Sequence, residues 1–155
     1  MGFFGTRQKL QHAIRPSCIR VAGCGVDVCE KLKTLGVSLH SVLSFEDHIN
    51  GIIRSCNNLI RALRHIRHHL TRKVTNKVAC SIVGTRIDYC NSLIYGVSKK
   101  YLDKLQRVQN KLARVVMNVG LRDQHTVDLL RELHWLPVRS RIIFQIIFED
   151  HPEQH

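Results

Sequence analysis

The stretch SKKYLDKLQRVQNKLARVVMNV, residues 98–119, carries two helical stripes. Lys100, Lys104, Arg107, Lys111 and Arg114 recur at steps of 4, 3, 4 and 3, so at about 3.6 residues per turn these cations share one side. Leu102, Leu105, Val108, Leu112, Val115 and Val119 form a second, apolar stripe about a quarter turn away. Ser98 offers an N-cap oxygen and Gly120 a residue free to turn left-handed, which predicts a helix bounded by the two. The apolar side must pack on something. The cationic side has two readings, a solvated surface stripe or a track for a phosphate backbone, and the helix alone leaves both open.

Working outward, Ile49, Ile52, Ile53, Cys56, Leu59, Ile60, Leu63 and Ile66 predict a long helix after residue 44, with Glu46 and Asp47 in its first turn where the helix dipole favours anions. Its other face carries Arg54, Arg61, His65 and His68, with Arg64 at the edge. No acidic residue lies between Asp47 and Asp88, an asymmetry that solubility alone does not require. Thr71 caps a further predicted helix through Val74, Val78, Ile82, Tyr89 and Leu93, softened at Gly84 and ending near Gly96, which should pair antiparallel with residues 98–119. Thr126 starts a short helix that Pro137 closes or kinks. Residues 142–148 are apolar nearly all round, which suggests a helix meant to be buried; the chain is then expected either to be a truncation of something longer or to expose a sticky terminal helix.

Toward the N-terminus the period changes from 3.6 to two. Ile19, Val21, a Gly23-Cys24-Gly25 break, Val26 and Val28 predict a β-hairpin. Leu35, Val37 and Leu39 predict one more strand, with Gly36 at a bulge or close approach. Pro16 ends a basic connector. The opening Met-Gly-Phe-Phe-Gly-Thr fits a myristoylation pattern, but Phe3 and Phe4 read better as the end of a buried strand. The expected fold is mainly α, a helical bundle with long antiparallel helices preceded by a small β element. Its expected parts are residues 1–43, residues 44–119 and residues 120–155.

The chain has 155 residues, 44% of them hydrophobic, enough for a core. Lys and Arg number 24 against 12 acids, a formal charge of +12 that points to polyanionic partners, with nucleic acid first. No apolar run approaches the ~18 residues of a membrane span, and no signal-peptide order opens the chain, so an intracellular setting, nuclear or cytoplasmic, is expected and a membrane is not. The cysteines at 18, 24, 29, 56, 80 and 90 form no Cys-x-x-Cys pair and read as reduced thiols, mostly in the core.

Chemistry-bearing patterns are sparse. His65 and His69 have metal-gripping spacing, but no Glu follows His65, and the Cys spacings do not suit zinc. No nucleophile elbow or phosphate-cradling glycine loop appears, and the carboxylates are too scattered for a two-metal site. No catalytic residue, metal or cofactor is assigned. The residues describe a binding element.

Three segments, LKTLGVSLHSVLSFEDHI at 32–49, TRIDYCNSLIYGVSKKYLDKLQRVQNKLARVV at 85–116 and LLRELHWLPVRSRI at 129–142, resemble the C-terminal part of the reverse transcriptase of LINE-type (non-LTR) retrotransposons. The resemblance covers almost the whole chain. It implies a palm end, with Leu35, Gly36 and Val37 at a primer-grip-like hairpin, followed by a thumb of helices. His40 stands where the family usually has Asp. The family's Tyr-Ala-Asp-Asp-type motif is missing, so this chain alone is not expected to be an RNA-directed DNA polymerase. The implied role is template or primer backbone binding by Arg54, Arg61, Arg64, Lys100, Lys104, Arg107, Lys111 and Arg114, with the missing palm and fingers polypeptide as a further partner. A helical protein-interaction module and a functionless retroelement remnant are the alternatives.

Overall fold

The computed structural model describes residues 17–34, 37–41, 45–89, 95–120 and 125–150. The protein is mainly helical, with antiparallel β-hairpin structure ahead of the helices, and divides into two compact units, Met1–His48 and Ile49–His155.

In the first unit, β1 (Cys18–Val21) pairs with β2 (Cys24–Asp27), Val21 opposite Cys24. Ala22 and Gly23 both have positive φ, 50° and 85°, the arrangement whose twist matches the flanking strands. The turn therefore sits one residue earlier than the glycines suggest, and Cys24 and Gly25 belong to β2. Residues 31–40 are two strands where one was expected, β3 (Lys31–Thr34) and β4 (Val37–His40), with Thr34 opposite Val37. Leu35 and Gly36 lie outside the described residues, whereas Val37 starts β4 and is buried.

α1 (Glu46–Ile66) has Glu46 and Asp47 in its first turn and buries Ile49, Cys56, Ile60 and Leu63, while Ile66 is about half exposed at its end. A 3₁₀ turn, Arg67–His69, leads to α2 (Arg72–Ala79), where the Thr71 hydroxyl accepts the Val74 amide at 3.4 Å. A π-helical turn, Cys80–Gly84, and the short α3 (Thr85–Asp88) follow. The helix expected to reach Gly96 stops here because Tyr89 is extended (ψ 117°), and Tyr89 is half exposed.

α4 (Lys99–Met117) is the long helix read first in the sequence. Both of its ends differ in detail. Ser98 makes no side-chain cap bond, and the stop is Asn118 (φ 57°), two residues before Gly120. The Asn118 amide reaches the Val115 carbonyl at 3.2 Å and the Val119 amide reaches that of Arg114 at 3.1 Å, the Schellman pattern that satisfies otherwise orphaned carbonyls. α5 (Thr126–Glu132) ends the same way: His134 (φ 56°) and Trp135 donate to Arg131 and Leu130. Pro137 thus does not close α5. Its carbonyl accepts the Arg141 amide and opens α6 (Val138–Asp150), a place where proline's missing N–H costs nothing.

The core of the second unit gathers on α4, where Leu105, Val108, Leu112 and Val116 are buried with Val83, Ile87, Leu129, Leu133, Val138 and Ile142. Two polar ties position α6: the Asp88–Arg141 ion pair and a glutamine clamp on α4. A third joins α2 to α5 through Arg72–Glu132 at 2.7 Å. Only one side of α6 is buried: Ile143, Phe144 and Ile147 are 41%, 53% and 54% exposed, as the reading of an exposed sticky helix has it rather than that of a buried one. The expectation for the cysteines fails. Among the described cysteines only Cys56 is in the core; Cys18, Cys24, Cys29 and Cys80 are exposed, and Cys90 lies outside the described residues. An apolar stripe predicts which side of a helix packs only if a partner is there to cover it.

Candidate nucleic-acid interface

Two bonds fix how α1 and α4 face each other. Near the N-terminal ends, Lys104 Nζ donates to Asn50 Oδ1 at 3.5 Å. Just past the C-terminal end of α1, Arg67 donates to the Val115 carbonyl (Nε, 3.0 Å) and the Val116 carbonyl (Nη2, 2.9 Å). The two helices therefore run in the same direction, with α2 and α3 returning antiparallel between them in sequence, as Arg86 on Ser55 (2.9 Å) confirms. Because both helices carry cations at steps of three and four, parallel alignment brings like stripes together.

The result is a cleft of about 940 Å³ between α1 and α4. Arg61 and Arg64 line it from α1, and Lys111 and Arg114 from α4. Ile60, Val115 and Val119 give it an apolar floor, and Asn57 and Asn118 add amide groups. No Asp or Glu lines the cleft among the described residues. Four of the eight cations named from the sequence thus meet in one place, although 47 residues separate Arg64 from Lys111 in the chain. Arg61, Arg64 and Lys111 make no hydrogen bond or ion pair with another described residue, so their charge is available to an anion.

The other four stand elsewhere. Lys100 and Lys104 flank the Tyr101 ring, their ammonium groups 5.9 and 5.2 Å from its centre, a contact that favours a cation at an aromatic face. Arg107 is exposed and its Nε donates back to the Asp103 carbonyl at 3.2 Å. Arg54 is exposed on α1 and is not part of the cleft lining. Of the primer-grip-like residues only Val37 is described, as a buried strand residue of the other unit.

Arg67 and Asn118 were not singled out in the sequence. Arg67 lines the cleft, yet its guanidinium also donates to Leu70 at 2.8 Å and so is spent on three carbonyls, tying down the negative end of α4. Nothing in the local sequence distinguishes it from Arg64. Asn118 was legible in principle, since Asn is the residue after Gly that best tolerates a left-handed helix stop.

The histidines do not make a metal centre: among the described residues no group of three or more His, Cys, Asp or Glu is placed to hold an ion. The His68 and His69 rings instead lie 3.8 Å apart, centre to centre. No helix of the described residues is long and apolar enough to cross a membrane. Compared with known proteins, the chain matches no family model, no curated protein and no solved structure.

Proposed function

We propose that this chain is a non-catalytic nucleic-acid-binding fragment derived from the thumb region of a LINE-type reverse transcriptase, and that it holds the phosphate backbone of RNA or DNA in the α1/α4 cleft. The observation that carries the binding reading is the meeting of Arg61, Arg64, Lys111 and Arg114 in a cleft that no carboxylate of the described residues lines. Part of this charge has a simpler role, because Arg64 and Arg114 sit in the last turns of their helices, where the dipole favours cations. Arg61 and Lys111 lie further back and are not accounted for in that way. No aromatic side chain of the described residues lines the cleft, so they supply no base stacking there and binding should be indifferent to sequence.

The test is affinity for a labelled RNA, DNA or hybrid oligonucleotide across a salt series. Contacts to three or four phosphates give a log–log slope of about −2 to −4, and replacing Arg61 and Lys111 together by Gln should reduce its magnitude by about 1.5. No binding at ~50 mM salt rejects the proposal. The exposed Ile143, Phe144 and Ile147 of α6 favour the second reading, a protein-interaction module, which predicts that outcome.

A further inference from the structure

The cleft has a feature that phosphate binding does not use. Its floor is apolar, formed by Ile60, Val115 and Val119, and its rims are cationic. A phosphate backbone would satisfy the rims and leave the floor against polar atoms or water. An anionic ligand with an apolar side would satisfy both. An amphipathic helix is such a ligand, with apolar anchors at helical spacing for the floor and carboxylates for the rims.

We infer that the α1/α4 cleft is also a docking site for an acidic amphipathic helix of a partner protein, which sets its leucine-like side chains on Ile60, Val115 and Val119 and its carboxylates on Arg61, Arg64 and Lys111. Charge complementarity selects this occupant: Arg61, Arg64 and Lys111 have no intramolecular partner among the described residues, and no carboxylate of the described residues lines the cleft to repel the incoming acids. A second copy of this chain is a poor occupant, because it brings a formal charge of +12 to a cationic cleft. The inference uses the same cleft as the nucleic-acid reading but does not require it to be right. If both hold, the acidic helix and the phosphate strand exclude each other, and such a partner regulates nucleic-acid release.

The experiment uses the full chain and a fluorescently labelled peptide of about 16 residues, with Leu at steps of three and four and Glu and Ala elsewhere. A second peptide has the same composition with the Leu positions scrambled. The expected result is anisotropy-detected binding of the first at least about fivefold tighter than the second, a gap that the Val119→Ser variant closes. Arg61→Gln with Lys111→Gln weakens the first peptide about tenfold while circular dichroism stays unchanged. Equal binding of the two peptides, or unchanged affinity in the correctly folded double variant, overturns the inference. An unlabelled RNA oligonucleotide is titrated against the complex and, separately, against protein alone. Displacement of the peptide places both ligands in one cleft. RNA binding without peptide binding overturns this inference and leaves the nucleic-acid reading standing; peptide binding without RNA binding does the reverse.

Discussion

Gln106 Oε1 accepts the Val138 amide at 2.9 Å, and this bond lies in a chain of amides that clamps α6 to α4. Gln106 Nε2 donates to Gln109 Oε1 (2.9 Å) and to Asn110 Oδ1 (2.8 Å), and Gln109 Nε2 donates to the Leu136 carbonyl (2.8 Å). Gln109 is 1% exposed, a buried polar side chain whose oxygen and nitrogen are both satisfied. The clamp joins segments 85–116 and 129–142 and so holds the helices together, whereas the binding proposal rests on the cations.

Gln109→Ala is expected to lower unfolding free energy by about 2–3 kcal/mol, since it opens a cavity and leaves the Leu136 carbonyl without its partner. Gln106→Leu should cost about 1–2 kcal/mol through the orphaned Val138 amide. Urea denaturation of both variants checks this, and losses under ~0.5 kcal/mol would mean the clamp is idle.

Arg67 is a structural cation inside a cleft of binding cations. Arg67→Lys should cost about 2 kcal/mol, because an ammonium cannot reproduce the fork of bonds to Val115, Val116 and Leu70. Arg61→Gln, exposed and without such bonds, should stay within ~0.5 kcal/mol. Thermal denaturation of the pair separates the two roles, and equal effects would refute the division.

His134 occupies a left-handed helix stop that glycine fills without strain. His134→Gly is expected to stabilise the protein by about 1 kcal/mol, and Asn118→Gly by less, since Asn tolerates this conformation better than His. A lower denaturation midpoint for His134→Gly would show that the imidazole has a further role.

His48 is 6% exposed, and its Nε2 has no hydrogen-bond partner among the described residues. Burial holds its pKa below the ordinary 6.5, so the unfolded chain takes up the proton first. This contribution to stability is therefore intact above pH 6.5 and is lost as pH falls from there toward the depressed native value. Unfolding free energy measured between pH 7.5 and 5 should fall toward acid, and His48→Gln should shrink that fall. An identical pH profile in the variant would contradict the assignment.

Thiol accessibility gives a direct check on the core. Burial pushes the Cys56 thiol up to about 11, opposed by the nearby Arg86 charge, so it should react with a thiol reagent only on unfolding. Cys18, Cys24, Cys29 and Cys80 should react in the native state. Single-cysteine mass mapping reads this, and prompt native labelling of Cys56 would displace α1 from its place in the core.

What the sequence determined by itself was everything governed by local periodicity and composition. The stripes of α1 and α4, the buried positions Leu105, Val108 and Leu112, the hairpin before them and the excess of cations all follow from residues within a few turns of one another. Helix ends were less legible, because Asn118 supplies the left-handed stop expected of Gly120, and His134 stops the helix that Pro137 was expected to close or kink. Only the tertiary structure decided which cations work together. Arg67 and Lys111 carry equal charge in the sequence, but the Val115 and Val116 carbonyls at the end of α4 consume one and the parallel course of α1 and α4 turns the other into the cleft. A side chain's charge is set by its own chemistry. Its partner is set by the packing of residues far away in the chain.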